Sequence, residues 1–244
     1  MKTAFSFPDQ QAAFRGGIRA AAGAPALAIG ASFLGFGALV RESGLSLWHG
    51  LISTATTWAL PGQVAMVELY SVGAGLLAVA LAVGASATRL LPMVMTLVPL
   101  MRHQGVKRRS FFFWAHLIAL TGWAVTMRVG PGLPPALRLP FFQGFTLTLW
   151  VTTLVGTAIG YLLPEVLPKA VTLSLVFLTP LYFTLLFLED LVGENLVGRR
   201  KPLALGFGAV LGPPLFLLSP DWSLILTGLI GGSLAFFLTK RGKS

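Results

Sequence analysis

The chain has 244 residues, of which 55% are hydrophobic and only 11% charged, and its net charge is +10. Soluble domains carry about 25% charged residues, so a water-solvated globule is excluded and an all-α integral membrane protein is expected. The absence of cysteine excludes disulfides, thiolate metal sites and cysteine nucleophiles.

Met1 to Phe14 lacks a continuous apolar core and an A-x-A-like site, so no cleavable leader is expected. A first span is read over about Gly17 to Val40. Residues 45–72 follow as an apolar stretch broken near its centre by Pro61–Gly62, with Thr56 and Thr57 just ahead of the break. A helix cannot run unbroken through Pro-Gly, and freed backbone groups cannot be left facing lipid. Such a segment is expected where backbone lines a cavity, as in the substrate sites of secondary transporters.

Further spans are read over about Val72 to Met101, Phe111 to Met127 and Phe141 to Leu163. A second interrupted segment, about Val166 to Leu191, carries Thr179–Pro180. The last two spans cover about Leu203 to Leu218 and Ser223 to Leu238. Basic residues cluster in the N-terminal stretch (Lys2, Arg15, Arg19), the 102–109 loop, Arg199-Arg200-Lys201 and the C-terminus. With no nucleic-acid module present, these clusters read as topology signals and nucleic acid is not expected as a partner.

Cytoplasmic placement of every basic cluster is satisfied if segments 45–72 and 166–191 both enter and leave by the same face. That predicts about six full transmembrane helices plus two re-entrant segments in one polytopic domain over 1–244, with cytoplasmic termini in the inner membrane. Span, hairpin, span, span then occurs twice, as a possible inverted repeat over 15–130 and 141–240. A displacement of 119 positions aligns Pro61 with Pro180 and Gly37 with Gly156. Eight straight spans with two proline kinks is the competing reading.

Arg89 lies well inside a span, where a guanidinium costs roughly 2.5 kcal/mol or more and marks a functional position by default. It either snorkels to the cytoplasmic surface or faces the cavity and binds a carboxylate bidentately. The arm returning from Pro61 offers the amides of Gly62 and Gln63 and a positive dipole end to the same anion. Thr56 or Thr57 would assist, although threonine also bonds its own helix backbone. Three roles are open to Glu68: recognising a substrate ammonium, carrying a coupling proton, or sitting in water at the outer mouth. Histidine is the side chain suited to carrying a proton near neutral pH, but for His116 a packed histidine bonded to a carbonyl is the plainer reading. Thr146, Thr153 and Thr157 recur at helical spacing beside Gly156-x-x-x-Gly160, a helix-packing face first and a cavity wall second. Met93, Met95 and Met101 read as core filler. No metal or cofactor is expected, and no catalytic constellation argues for an enzyme.

Several of these residues form an ordered series. Gly23-Ala-Pro25, Gly30, Phe36-Gly37 and Ser43-Gly44-Leu45-Ser46 come first, then Ala59-Leu-Pro-Gly-Gln63 and Arg89. Gln143-Gly144-Phe145, Trp150, Gly156, Gly160, Phe177 and Phe183-Thr-Leu-Leu follow. The series, over roughly residues 15 to 238, resembles the AzlC family. That resemblance implies the large subunit of a branched-chain amino acid exporter, working with a small four-helix partner of the AzlD type. The chain departs from the family where Asn-x-Arg-His is usual and it has Ala87-Thr88-Arg89-Leu90, so only the arginine carries over. It departs again where Thr-Asp-Glu is usual and it has Thr121-Gly122-Trp123. The expected function is export of small apolar amino acids by alternating access. A permease for another small carboxylate, a channel and a non-transporting scaffold or assembly subunit are the alternatives.

Overall fold

In a computed structural model, residues 7–103, 108–163, 170, 171, 174, 177, 200–218 and 223–241 are described. The described residues are helical, without strands. The chain divides into two compact units, Met1–Tyr182 and Phe183–Ser244.

The first unit opens with α1 (Gln10–Ala21), whose start is fixed by Asp9: its Oδ1 accepts the Ala12 N–H at 2.7 Å. Helix α2 (Ala24–Glu42) begins anew after Gly23, with Pro25 in its first turn, where a missing N–H costs nothing. The single span expected over about Gly17 to Val40 is therefore two helices. Gly44, at φ +73°, ends α2. Helices α3 (Leu47–Thr56) and α4 (Leu60–Ser71) follow, separated at Thr57–Ala59. The expected break thus falls one turn ahead of Pro61.

The run from Val72 to Met101 is also two helices, α5 (Leu76–Ala87) and α6 (Leu90–Met101), bent by 42°. Pro92 explains the bend, because it cannot donate to the Thr88 carbonyl one turn back. The straight span expected over Phe111 to Met127 is corrected more sharply. It consists of α7 (Arg108–His116) and α8 (Leu120–Val129), and the axis bends by 117° across Leu117–Ala119. A bend beyond a right angle turns the chain back on itself. No glycine or proline stands in 117–119; Leu117 and Ile118 instead donate to carbonyls three residues back, tightening the end of α7.

A short 3₁₀ turn (Gly130–Gly132) leads to α9 (Pro135–Leu162), whose 28 residues make about 42 Å of helix. Helices α1, α2 and α3 pack along it through glycine. A Cβ built on Gly37 would overlap the Thr157 carbonyl, and one on Gly160 the Leu34 carbonyl. One on Gly144 would overlap the Phe14 carbonyl of α1. Gly156 and Gly160 thus serve as the packing face the sequence suggested. Buried residues of α1, α2, α4 and α9 share one apolar cluster with both breaks, Trp58 on one side and Leu117 and Ala119 on the other.

The second unit contains α10 (Arg200–Leu218) and α11 (Ser223–Arg241), in contact where Gly231 meets Phe207 and Gly208. Among the described residues, α2 and α9 are long and apolar enough to cross a membrane, and up to four spans result if each bent pair is counted as one. The second interrupted segment with Thr179–Pro180 lies outside the described residues apart from isolated positions.

Candidate functional site

The break between α3 and α4 is built from local chemistry. Ser46 and His49 cap the start of α3, with Ser46 Oγ 2.7 Å from His49 Nδ1. At its other end the Thr57 N–H still reaches the Ser53 carbonyl at 2.8 Å. Pro61 has no N–H for the Thr57 carbonyl, so the helix cannot continue through it. Trp58 bridges the gap at φ +41°, a left-handed value strained for a bulky residue. It is buried, and its indole Nε1 donates to Thr153 Oγ1 of α9 at 3.0 Å.

Around this strained residue lies a buried polar network. Gln63, only 1% exposed, uses Nε2 to donate to Ser53 Oγ and to Thr54 Oγ1, each at 3.1 Å. Thr54 Oγ1 and Thr157 Oγ1 lie 3.1 Å apart, and Thr157 donates to the Thr153 carbonyl at 2.9 Å. Ser53 donates to the Gly50 carbonyl at 2.9 Å. Two atoms of this region are left over: Gln63 Oε1 and Trp150 Nε1 are buried without a hydrogen-bond partner. A buried unsatisfied group costs about 1–3 kcal/mol.

The other helix breaks come to the same place. His116, the last residue of α7, has Nε2 2.9 Å from the Ala55 carbonyl near the end of α3. A carbonyl only accepts, so Nε2 carries the proton, and the contact satisfies one of the open carbonyls of α3. Trp58 and Leu60 share their apolar cluster with Leu117 and Ala119. On the α5 side, Gly62 sits against Ser86, three residues before Arg89. The two breaks also share sequence: Ala59-Leu60-x-Gly62 recurs as Ala119-Leu120-x-Gly122, 60 positions later.

The expected site residues divide. Gly62 and Gln63 are buried at the break, whereas Pro61 is exposed. The paired use of the Gly62 and Gln63 amides needs correction. Gln63 already donates its N–H to the Ala59 carbonyl at 3.1 Å, which leaves the Gly62 amide as the one without a bond among the described residues. Thr56 is exposed and donates to its own Ile52 carbonyl at 2.7 Å, the self-bonding role, while Thr57 is half-buried. Arg89 is exposed at the α5–α6 bend, with no hydrogen bond or ion pair to another described residue. Glu68 lies on an exposed face of α4, five residues and about 140° around the helix from Gln63. His116 bonds a carbonyl but is exposed, so it is not the packed histidine of its plainer reading.

Ser53 and Thr54 were missed. They lie one turn before the Thr pair that drew attention, and only the buried face of α3 distinguishes them. Trp58 was missed because nothing local marks a tryptophan as the residue that turns. Met101 is buried as core filler, whereas Met95 is exposed. Among the described residues no cluster of His, Asp and Glu could hold a metal ion.

Comparison with known proteins finds no match among curated proteins or solved structures. A family model, that of the AzlC protein, matches residues 25–167, from the start of α2 past the end of α9. That match takes in both break motifs, Arg89 and the helix that joins them, and the family is associated with membrane transport of amino acids. With well over half its length under the model, the chain belongs to the AzlC family.

Proposed function

We propose that the chain is the translocating subunit of an inner-membrane permease that exports small apolar amino acids by alternating access. The carrying observation is the meeting of the 57–59 and 117–119 breaks, through His116 on the Ala55 carbonyl and a shared apolar cluster. The buried polar network of Gln63 lies beside the first of them. Irregular backbone at membrane depth is tolerated only where protein shields it or a cavity solvates it, and transporters place substrate there. Arg89 would pair with the substrate carboxylate, joined by the Gly62 amide at the positive end of α4, with Thr57 nearby. Glu68 and His116 are the proposed coupling residues. The termini would face the cytoplasm, following the basic clusters.

AzlC proteins work with a partner subunit in membrane transport. A small four-helix subunit of the AzlD type is the proposed partner here. In the first unit α5 buries none of its residues, and Leu76, Leu77 and Leu81 are exposed; that face would meet lipid or the partner.

Arg89→Ala tests the reading. Export should be lost while the purified protein stays monodisperse by size exclusion. Arg89→Lys should restore only part of it, because an ammonium lacks the two-pronged guanidinium geometry. Unchanged efflux from Arg89→Ala removes this residue from the site.

A scaffold role is the second reading, and one observation favours it. Where the family usually carries Thr-Asp-Glu, Gly122 packs on Thr146, and Trp123 Nε1 donates to Thr96 Oγ1 at 2.9 Å. These positions are occupied by packing rather than by charge. Ligand-dependent thermal stabilisation separates the two, since a scaffold shows none.

A further inference from the structure

The direction of every hydrogen bond around Gln63 follows from counting protons. Thr157 spends its hydroxyl proton on the Thr153 carbonyl, so in its contact with Thr54 it can only accept. Thr54 must therefore donate to Thr157, and Ser53 has already donated to the Gly50 carbonyl. Both hydroxyls facing Gln63 are left as pure acceptors. The carboxamide has to turn its NH₂ group toward them, and its two protons are both consumed. A flipped amide would set an oxygen against two oxygens with no proton between them. The orphaned atom is thus fixed as Oε1, an acceptor on a side chain 99% removed from solvent.

We infer that Gln63 Oε1 is the receptor for the protonated amine of the transported molecule, so that the site selects amino acids over plain carboxylates. The inference rests on the transport reading above and adds which end of the substrate meets which end of the break. An ionised carboxylate has no proton to give, so it cannot satisfy Oε1. The helix ends gathered here agree with a zwitterion. α3 ends at Thr56 and α7 at His116, presenting negative dipole ends, while α4 and α8 begin at Leu60 and Leu120 with positive ones. Glu68, on the exposed face of α4, does not supply a formal negative charge to the network. Recognition of the amine therefore falls to neutral oxygens, with Oε1 as the open one.

The test measures binding to the purified full-length chain, alone and with its partner subunit, by thermal shift and calorimetry. The probes are leucine and 4-methylpentanoate, which share a carbon skeleton and a carboxylate but differ in the amine. Wild-type protein should prefer leucine by about 10- to 150-fold, the range for a hydrogen bond to a charged group. Gln63→Met keeps length and removes the acceptor; it should lower leucine affinity by that factor and leave 4-methylpentanoate affinity unchanged. Equal wild-type affinity for the two probes overturns the inference while leaving a carboxylate permease standing. Equal losses for both probes in Gln63→Met overturn it too, because they mean a structural role. Binding of neither probe removes the transport reading itself, and the inference with it. If Gln63→Met does not fold, Gln63→Glu takes its place. It keeps an acceptor oxygen for the amine, so leucine should still be preferred over 4-methylpentanoate, and equal affinity for the two overturns the inference.

Discussion

Trp58 Nε1 lies 3.0 Å from Thr153 Oγ1, so the residue with the strained backbone in the α3–α4 break is tied to the middle of α9. Thr153 passes its own proton to the Trp150 carbonyl at 2.7 Å and accepts from Trp58. Four residues on, Thr157 meets Thr54 by the same logic. One face of α9 therefore holds α3 through Thr54 and the turning residue through Thr153. The φ of +41° persists because burial of the indole and its hydrogen bond over-determine it.

Trp58→Phe should therefore destabilise the protein modestly, by about 1 kcal/mol for the lost hydrogen bond. Trp58→Ala should cost about 3–5 kcal/mol, through the cavity it leaves beside Phe145 and Leu149. Thermal unfolding in detergent measures both. A Trp58→Phe protein as stable as wild type would mean that Thr153 does not hold the break.

The glycines of α2 and α9 make a prediction about assembly. Gly37→Val and Gly160→Val should prevent accumulation of folded protein, because each new side chain would strike backbone of the opposite helix. Gly84→Ala is the control: nothing lies within 4 Å of its Cβ position, and alanine favours helix by about 1 kcal/mol. Yield and monodispersity after detergent extraction should fall for the first two and hold for the third.

What the sequence revealed and what it hid follow one physical division. Pro61 and Gly62 announced the α3–α4 break because a proline acts on its own turn of helix, whatever surrounds it. The break at Leu117–Ala119 had no such signal, since Leu117-Ile118-Ala119 is helix-compatible. That bend depends on contacts from elsewhere, His116 on Ala55 and Leu117 in one apolar cluster with Trp58. Its one trace in the sequence, Ala-Leu-x-Gly at a spacing of 60, is too short to stand out before both breaks are seen together. Gln63 was legible as a polar residue at a break. The loss of its backbone amide to Ala59, and of its NH₂ group to Ser53 and Thr54, could be read only from packing.

Whether α3 and α4 cross the bilayer or return to the same face can be decided with single cysteines, since the native chain has none. Ser46 and Ser71 flank the pair, and both are exposed. If the segment re-enters, Ser46→Cys and Ser71→Cys will both react with a membrane-impermeant maleimide added outside intact spheroplasts. His103→Cys, beside the basic loop, will react only after lysis. If the segment crosses, one of Ser46 and Ser71 will be protected until lysis. The positive-inside argument then fails at the 102–109 loop, and the count of crossings before it changes by one. The meeting of the two breaks would survive that result, because His116 still reaches Ala55 whichever way the helices run. The access route would not, since a substrate pocket opened by a re-entrant pair faces one side of the membrane until a neighbouring helix moves.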